Sequence, residues 1–290
     1  MLPPPINQAT VLIIGATGGI GRELSRLLSR RVRTLVLVDR RTERLEPLRD
    51  ELLASNPTLG VLIHACDVRD PHQVDALLAD LEAHYVRVDV LVNNAALGDR
   101  SLYAEARWGR VEEMLTANVW VPALLTHRLL GPMLERGRGG VLNIGSGAAQ
   151  LILPGSATFA ATQRFLDGFT EALRLEVEGR GITVTRVAPG PLWDEGSEAV
   201  TDEVAPFFHI SLARCAREAL EGFERGEPLV YPGFGHRWVM RLLPFLPRGL
   251  KRSLGRLALR GLRREALLSP QAPGLGPERP VLLAGEPSTA

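Results

Sequence analysis

An α/β fold, with one parallel sheet covered by helices on both faces, is what this 290-residue sequence predicts, and three observations predict it. Short apolar runs alternate with segments of helical spacing from Thr10 to Val187, the alternation that builds a parallel sheet. The runs are continuously apolar and do not alternate with polar residues, as strands buried on both faces require. A glycine cluster stands where the first run ends and the first helical segment begins, the place where a strand-to-helix junction can carry chemistry.

Taken in order, Thr10–Ile14 is a buried first strand that stops at the glycines, and Ile20–Arg30 has helical spacing. Thr34–Val38 is a second buried strand, ending at Asp39. Helical patterns at Glu43–Ala54 and Gln73–Ala83 alternate with strand-like runs at Val61–Cys66 and Val88–Val92. Val111–Glu135 predicts a long helix bent near Pro122. Gly140–Ile144 is a strand, Ala157–Glu178 a helix and Ile182–Val187 a strand. No repeat and no second domain is visible. Residues 1–9 are expected to be flexible, 10–235 to form the domain, 236–268 to be a basic amphipathic helical segment, and 269–290, rich in Pro and Gly, to be a disordered tail.

The composition narrows the function classes. With 34 basic against 33 acidic side chains there is no electrostatic footprint of a nucleic-acid binder. Cys66 and Cys215 lie far apart in apolar surroundings and read as reduced, buried thiols of a cytoplasmic protein. Met1–Gln8 is proline-rich without an apolar run, so no signal peptide is expected there, and no apolar stretch is long enough to span a bilayer. Lys251 is the only lysine, so the core domain has none. No metal-ligand spacing is apparent.

Gly15-Ala16-Thr17-Gly18-Gly19-Ile20-Gly21 lies between the first strand and first helix. Glycines there allow a tight turn and let the backbone approach a pyrophosphate, whose charge meets the helix N-terminus. Asp39 follows about 20 residues on, where a carboxylate accepts bonds from an adenosine ribose and opposes a 2′-phosphate. The reading is therefore NAD(H) in preference to NADP(H), with Arg40 next door softening the preference.

At this point the chain resembles the short-chain dehydrogenase/reductase family, over about residues 10–235. The spacing Gly15-x-x-x-Gly19-x-Gly21 resembles that family's cofactor loop, Asp67-Val68 its adenine-contacting pair, and Asn93-Asn94-Ala95-Ala96 its turn after the fourth strand. Asn118 matches its helical asparagine, Ser146 its serine, and Pro189-Gly190 the segment that covers the nicotinamide. The resemblance implies a single Rossmann-type doubly wound sheet of about seven strands, in the order 3-2-1-4-5-6-7. It also implies cofactor contacts from Gly15, Thr17, Gly18, Gly19, Ile20, Gly21, Asp39, Arg40, Asp67, Val68, Asn94, Ala95, Gln163, Pro189 and Gly190. A homodimer or homotetramer built on the fourth and fifth helices is the family's usual assembly.

Two positions depart from the pattern. Phe159 stands where the family has its proton-donating tyrosine, and Gln163 where it has a lysine. Phenylalanine has no proton to give, and glutamine can bond a ribose hydroxyl but has no charge to tune a neighbour. Ser146 and Asn118 remain as catalytic candidates. Tyr103, Thr158 and His209 are replacement acids to consider, although Tyr103 lies just after the fourth strand, away from the expected position. Asp194 takes the place of a family threonine, and residues 192–212, with Trp193, Phe207, Phe208 and His209, would form a substrate lid.

General acid catalysis contributes about 10²–10⁴-fold, so its loss restricts the acceptors without abolishing hydride transfer. The expectation is an NADH-dependent reductase acting on an activated, lipophilic small molecule, in secondary metabolism. The alternatives are an inactive dinucleotide-binding sensor or scaffold and a membrane-docked interaction protein. The latter is suggested by residues 236–264, which carry arginines and leucines with no acidic residue. Leu250, Leu254 and Leu257 would share a helical face there. Such a segment suits peripheral contact with the inner face of a membrane, or packing on the substrate cleft or a sister subunit.

Overall fold

The computed structural model describes residues 6–99, 101–193 and 210–268. Seven parallel strands form one sheet: β1 (Thr10–Ile14), β2 (Thr34–Asp39), β3 (Gly60–Ala65), β4 (Val90–Asn93), β5 (Gly139–Ile144), β6 (Ile182–Val187) and β9 (Leu229–Val230). Their order is β3-β2-β1-β4-β5-β6-β9, the order that the resemblance implies. Two short strands, β7 (Leu192–Trp193) and β8 (Ile210–Ser211), pair separately; two residues each give no readable pattern.

Side chains within a strand point alternately to opposite faces, and here both faces are covered. Val11 and Ile13 join the core made with α1 (Gly19–Leu28), α2 (Thr42–Ser55) and α7 (Leu212–Glu224). Leu12 and Ile14 join the core made with α3 (Pro71–Ala83), α5 (Val121–Glu135) and α6 (Ala157–Glu176). That is why the strands read as continuous apolar runs. Asp70 caps α3 by accepting from His72 N at 2.9 Å, with Pro71 in the first turn where its missing N–H costs nothing.

The expected long helix is interrupted. α4 (Trp108–Leu115) passes through a π-helical turn, Thr116–Trp120, before continuing as α5. The irregularity thus lies just before Pro122, which has no N–H to donate to the preceding turn. The C-terminal region, expected to be helical over 236–268, is helical in two pieces: α8 (Phe234–Leu242) and α9 (Arg248–Leu268) are separated by a 3₁₀ turn at Leu243–Phe245 and by Pro247. Prolines at 244 and 247 explain the break. α8 is tied to the domain by Glu218 on α7, which accepts from Gly233 N and from Arg237 Nη2, each at 2.9 Å. No helix among the described residues is long and apolar enough to cross a membrane.

Candidate active site

The carboxyl ends of β1, β2, β3 and β4 border an open cleft. Gly15, Thr17, Gly18, Asp39, Arg40, Asp67, Val68, Asn94 and Ala95 all line it. Gly19, Ile20 and Gly21 are not in its wall but open α1 directly behind the loop. Glycine is needed at two places here. Gly15 has φ +76°, and a Cβ on Gly21 would lie 2.3 Å from the Gly15 carbonyl oxygen. The α1 N-terminus has neither a side-chain cap nor an acidic residue in its first turn, so it presents unshielded N–H dipoles to an anion. These features fit a dinucleotide, which would be held by the loop backbone and by Asp39.

Asp39 is held in place from the loop side. Its Oδ2 accepts from Thr17 Oγ1 at 2.6 Å and from Thr17 N at 3.3 Å, and Oδ1 accepts from Arg41 N at 3.4 Å. Arg41, Arg69, Cys66, Leu97 and Ala117 also line the cleft and were not foreseen from the sequence. The signal for Arg41 was its adjacency to Arg40. Arg69 grips the Asp67 carboxylate at 2.5 Å and bonds Glu113 at 2.9 Å, and its guanidinium keeps Asp67 below the usual carboxylate range. Asn94 donates to the Gly15 carbonyl at 2.8 Å, clamping the loop to β4. Its neighbour Asn93 turns into the core, donating to Asn143 at 2.8 Å, and Asn143 donates to Thr170 at 2.9 Å.

Asn118, in the π turn, has its amide committed internally. It accepts from Leu97 N and donates to Leu97 O, each at 2.8 Å, and donates to Thr162 Oγ1 at 3.0 Å. It therefore braces the chain between β4 and α6, with both amide hydrogens committed and one acceptor position left on Oδ1. Ser146 follows β5, and its Oγ accepts from Ala148 N at 3.2 Å. That bond uses the oxygen and leaves the O–H hydrogen to donate.

Phe159 packs its ring 3.8 Å from the position a Cβ would take on Gly98 and lines a small recess with Tyr103, Met114 and Thr158. Tyr103 thus shares the wall of a recess with Phe159 although it lies just after the fourth strand in the chain, and the residue is 61% exposed. Gln163 is fully buried on α6 with Oε1 lacking a hydrogen-bond partner. Pro189 O accepts from Gly147 N at 2.9 Å, joining the segment after β6 to the serine loop. A Cβ on Gly190 would lie 2.7 Å from His236 Nδ1. Gln163, Pro189, Gly190, Ser146 and Phe159 are not in the wall of the main cleft, so the structure does not bring these expected residues together with Gly15, Asp39 and Asp67. After the roles that the resemblance implies, the cleft is called the adenosine end and the region of Ser146, Phe159 and Gln163 the reactive end.

His236 was not foreseen as part of this region. It is buried, its Nε2 lies 3.0 Å from the Ala188 carbonyl oxygen, and burial holds its imidazole below the ordinary histidine range. Arg186 was missed too, although a charge within the apolar run Ile-Thr-Val-Thr-Arg-Val was a visible signal. Asp194, Phe207, Phe208 and His209 lie outside the described residues, as does most of the expected lid.

A model of the short chain dehydrogenase family matches residues 9–203. Sulfoacetaldehyde reductase of Chromohalobacter salexigens is 40% identical over 185 residues, covering 62% of this chain and 71% of its own. The NADP-dependent 3-hydroxy acid dehydrogenase YdfG of Escherichia coli is 34% identical over 182 residues, with the same coverage of 62% and 71%. Among solved structures, a 7β-hydroxysteroid dehydrogenase superposes with a TM-score of 0.78 at 20% identity, covering 89% of this chain and 99% of its own.

Proposed function

Because the chain belongs to the short-chain dehydrogenase/reductase family and is an NAD(P)-dependent oxidoreductase, we propose that it uses NADH to reduce an activated, largely apolar acceptor. One combination carries this reading: Phe159 stands where the family resemblance puts the proton donor, while Ser146 Oγ accepts from Ala148 N and can still donate its own hydrogen. The bound dinucleotide would supply the hydride. The protein's part is orientation, which the glycine loop, the Asn94 clamp and the Asn118 brace provide. Ser146 would hydrogen-bond the charge that develops on the acceptor. Without a tyrosine hydroxyl at 159, an acceptor that already delocalises charge reacts best.

Asp39 supports NADH over NADPH, since its carboxylate lies in the cleft wall and is fixed by Thr17. Exposed Leu115 at the end of α4, Trp120 in the π turn and Phe165 on α6 support self-association through these elements. We read the outer face of α8 and the turn after it as a contact surface for an anionic bilayer. Phe234, Trp238, Leu242 and Phe245 are 63%, 53%, 58% and 84% exposed, and the Phe234 and Trp238 rings lie edge to face at 6.2 Å, an exposed apolar group of the kind that marks a contact surface. Arg241, Arg248, Lys251 and Arg252 flank it in sequence, with no acidic residue between 236 and 264. Such a surface suits an oily substrate delivered from lipid.

The experiment is a screen of lipophilic acceptors, with quinones and conjugated enones among them, read by loss of NADH absorbance. Ser146→Ala is then tested on the best acceptor. The expected result is a fall in kcat of roughly 10- to 100-fold with NADH affinity within about threefold, because the lost bond strengthens as charge develops. If no acceptor oxidises NADH while NADH still binds, the chain is an inactive dinucleotide-binding protein and this reading is wrong.

A further inference from the structure

The reactive end contains a charge that the sequence pattern places nowhere near it. Arg186 sits on β6 with its side chain only 3% exposed. Its Nη1 forms an ion pair with Asp167, one helical turn beyond Gln163 on α6. Its Nη2 donates to the Ser146 carbonyl at 3.1 Å and to the Gln163 carbonyl at 3.3 Å. One guanidinium therefore ties β6 to the exit of β5 and to the helix that carries positions 159 and 163. Asp167 is steadied in turn by Gln150 Nε2 at 3.1 Å.

Gly145 makes room for this arrangement. A Cβ there would lie 2.9 Å from Arg186 Nη2, 3.0 Å from Arg186 Nε and 2.9 Å from Gln163 Oε1. The guanidinium and the amide oxygen thus converge on the same bare stretch of backbone. Both Arg186 Nε and Gln163 Oε1 are buried without hydrogen-bond partners. Such orphaned groups are rare in protein interiors and cost free energy unless something is gained by the arrangement.

We propose that Arg186 is the resident cation of the reactive end, delivered from β6 in place of α6, and that residue 163 is neutral because this cation occupies the space an ammonium would need. Arg186 acts as a positioning residue: it fixes the Ser146 peptide, and through it the serine hydroxyl, and it fixes the α6 turn beside Phe159. The missing lysine and the buried arginine are then one exchange. Burial pushes the Arg186 guanidinium down to about 10, which still leaves it charged at neutral pH. A second cation at 163 would face it with only Asp167 to share. Both side chains come within 3.0 Å of one point at Gly145, so an ammonium in place of the Gln163 amide would lie within about 6 Å of the guanidinium, and buried like charges that close repel.

Four variants test this in the full chain: Gln163→Lys, Gln163→Met, Arg186→Met and the Gln163→Lys/Arg186→Met pair. The first readout is Tm, which does not depend on the dinucleotide reading; the second is NADH affinity by fluorescence, which does. Gln163→Met, similar in length but neutral, should cost a few degrees at most, whereas Gln163→Lys should cost clearly more. The pair should have a higher Tm than either charge-altering single variant, because the introduced ammonium can then take the guanidinium's place beside Asp167. NADH affinity should drop at least about tenfold in Gln163→Lys and recover to within about threefold in the pair.

The loss caused by Gln163→Lys should also shrink between about pH 7 and pH 9.5. A lysine whose folded pKa is depressed destabilises the fold most while charged, and that cost fades as pH rises through its folded pKa toward the unfolded value. The pair should show no such recovery. Equal losses for Gln163→Lys and Gln163→Met, with no pH dependence, would overturn the proposal even if Arg186→Met fails to fold. Strictly additive losses in the pair would overturn it as well. A rescued Tm without rescued NADH affinity would leave the charge exchange standing and would count against the cofactor reading of the cleft.

Discussion

Asp39→Asn is the sharpest test of the adenosine end. Asparagine keeps an oxygen able to accept from Thr17 Oγ1, which lies 2.6 Å from the carboxylate, so the loop should hold while the charge is removed. A 2′-phosphate carries about −1.5 to −2 charges at neutral pH. A unit like-charge pair at about 4 Å is worth roughly 4 kcal/mol at an effective dielectric of 20 and roughly 1 kcal/mol in water. Asp39 is partly exposed, so the repulsion falls near the lower end, about 2–3 kcal/mol, or roughly 30- to 150-fold in NADPH affinity. The same change weakens a charge-assisted bond to the ribose of NADH, by about 1 kcal/mol or roughly fivefold. The ratio of NADPH to NADH affinity should therefore rise by roughly 100-fold or more. Arg40 and Arg41, already in the cleft wall, supply the attraction once the carboxylate charge is gone. Arg40→Ala on the Asp39→Asn background should remove part of the gain. The assay is fluorescence titration of both reduced cofactors at one fixed ionic strength. A ratio that moves by less than about threefold, or an unaltered protein that binds NADPH as tightly as NADH, refutes the reasoning.

Three further outcomes are expected. Phe159→Tyr with Gln163→Lys and Arg186→Met should raise turnover on simple ketones by about 10-fold or more, within the usual reach of general acid catalysis; without the Arg186 change the gain should be smaller, and equal turnover would count against the charge exchange. The protein should sediment with vesicles containing anionic lipid at low salt and not with neutral ones, and Trp238→Ala/Phe245→Ala should reduce that binding several-fold; salt-independent binding, or none, would remove the bilayer from the account. Burial pushes the Cys66 thiol up to about 11 and the Cys215 thiol up to about 12. A thiol probe at about pH 7.5 should label neither until the protein unfolds. Because both folded values lie above the unfolded one, stability contributed by the neutral thiols is complete below about pH 8.5 and declines from there toward about pH 12. Rapid native labelling would contradict this.

Most of the sheet was legible in the sequence because strands buried on both faces leave uninterrupted apolar runs, and Thr10–Ile14 and Ile182–Val187 fall on strand bounds without adjustment. The adenosine end was legible because glycines with a steric reason must lie close together in the chain. The reactive end was less so, because its parts meet only in space. Tyr103 reaches the Phe159 recess from the far side of a loop. Arg186 arrives from a strand whose apolar context makes a charge look anomalous, and nothing local says which helix it faces. The division of the C-terminal segment is less visible than its helicity, because leucines recur at helical spacing on both sides of the prolines at 244 and 247.

The Asn93–Asn143–Thr170 chain has a consequence for how this sheet finds its alignment. Parallel strands made of Val, Leu and Ile bury nearly the same apolar area when one slides by two residues past its neighbour, so hydrophobicity alone selects the register weakly. The paired amides remove that degeneracy. Sliding β4 against β5 would separate Asn93 from Asn143, which now meet at 2.8 Å across the strands. Each unpaired buried amide group costs about 1–3 kcal/mol, a large fraction of the net stability of a domain. Replacing both asparagines with leucine should therefore yield a chain that is still compact and helical yet samples more than one strand alignment, visible as broadened amide resonances from β4 and β5.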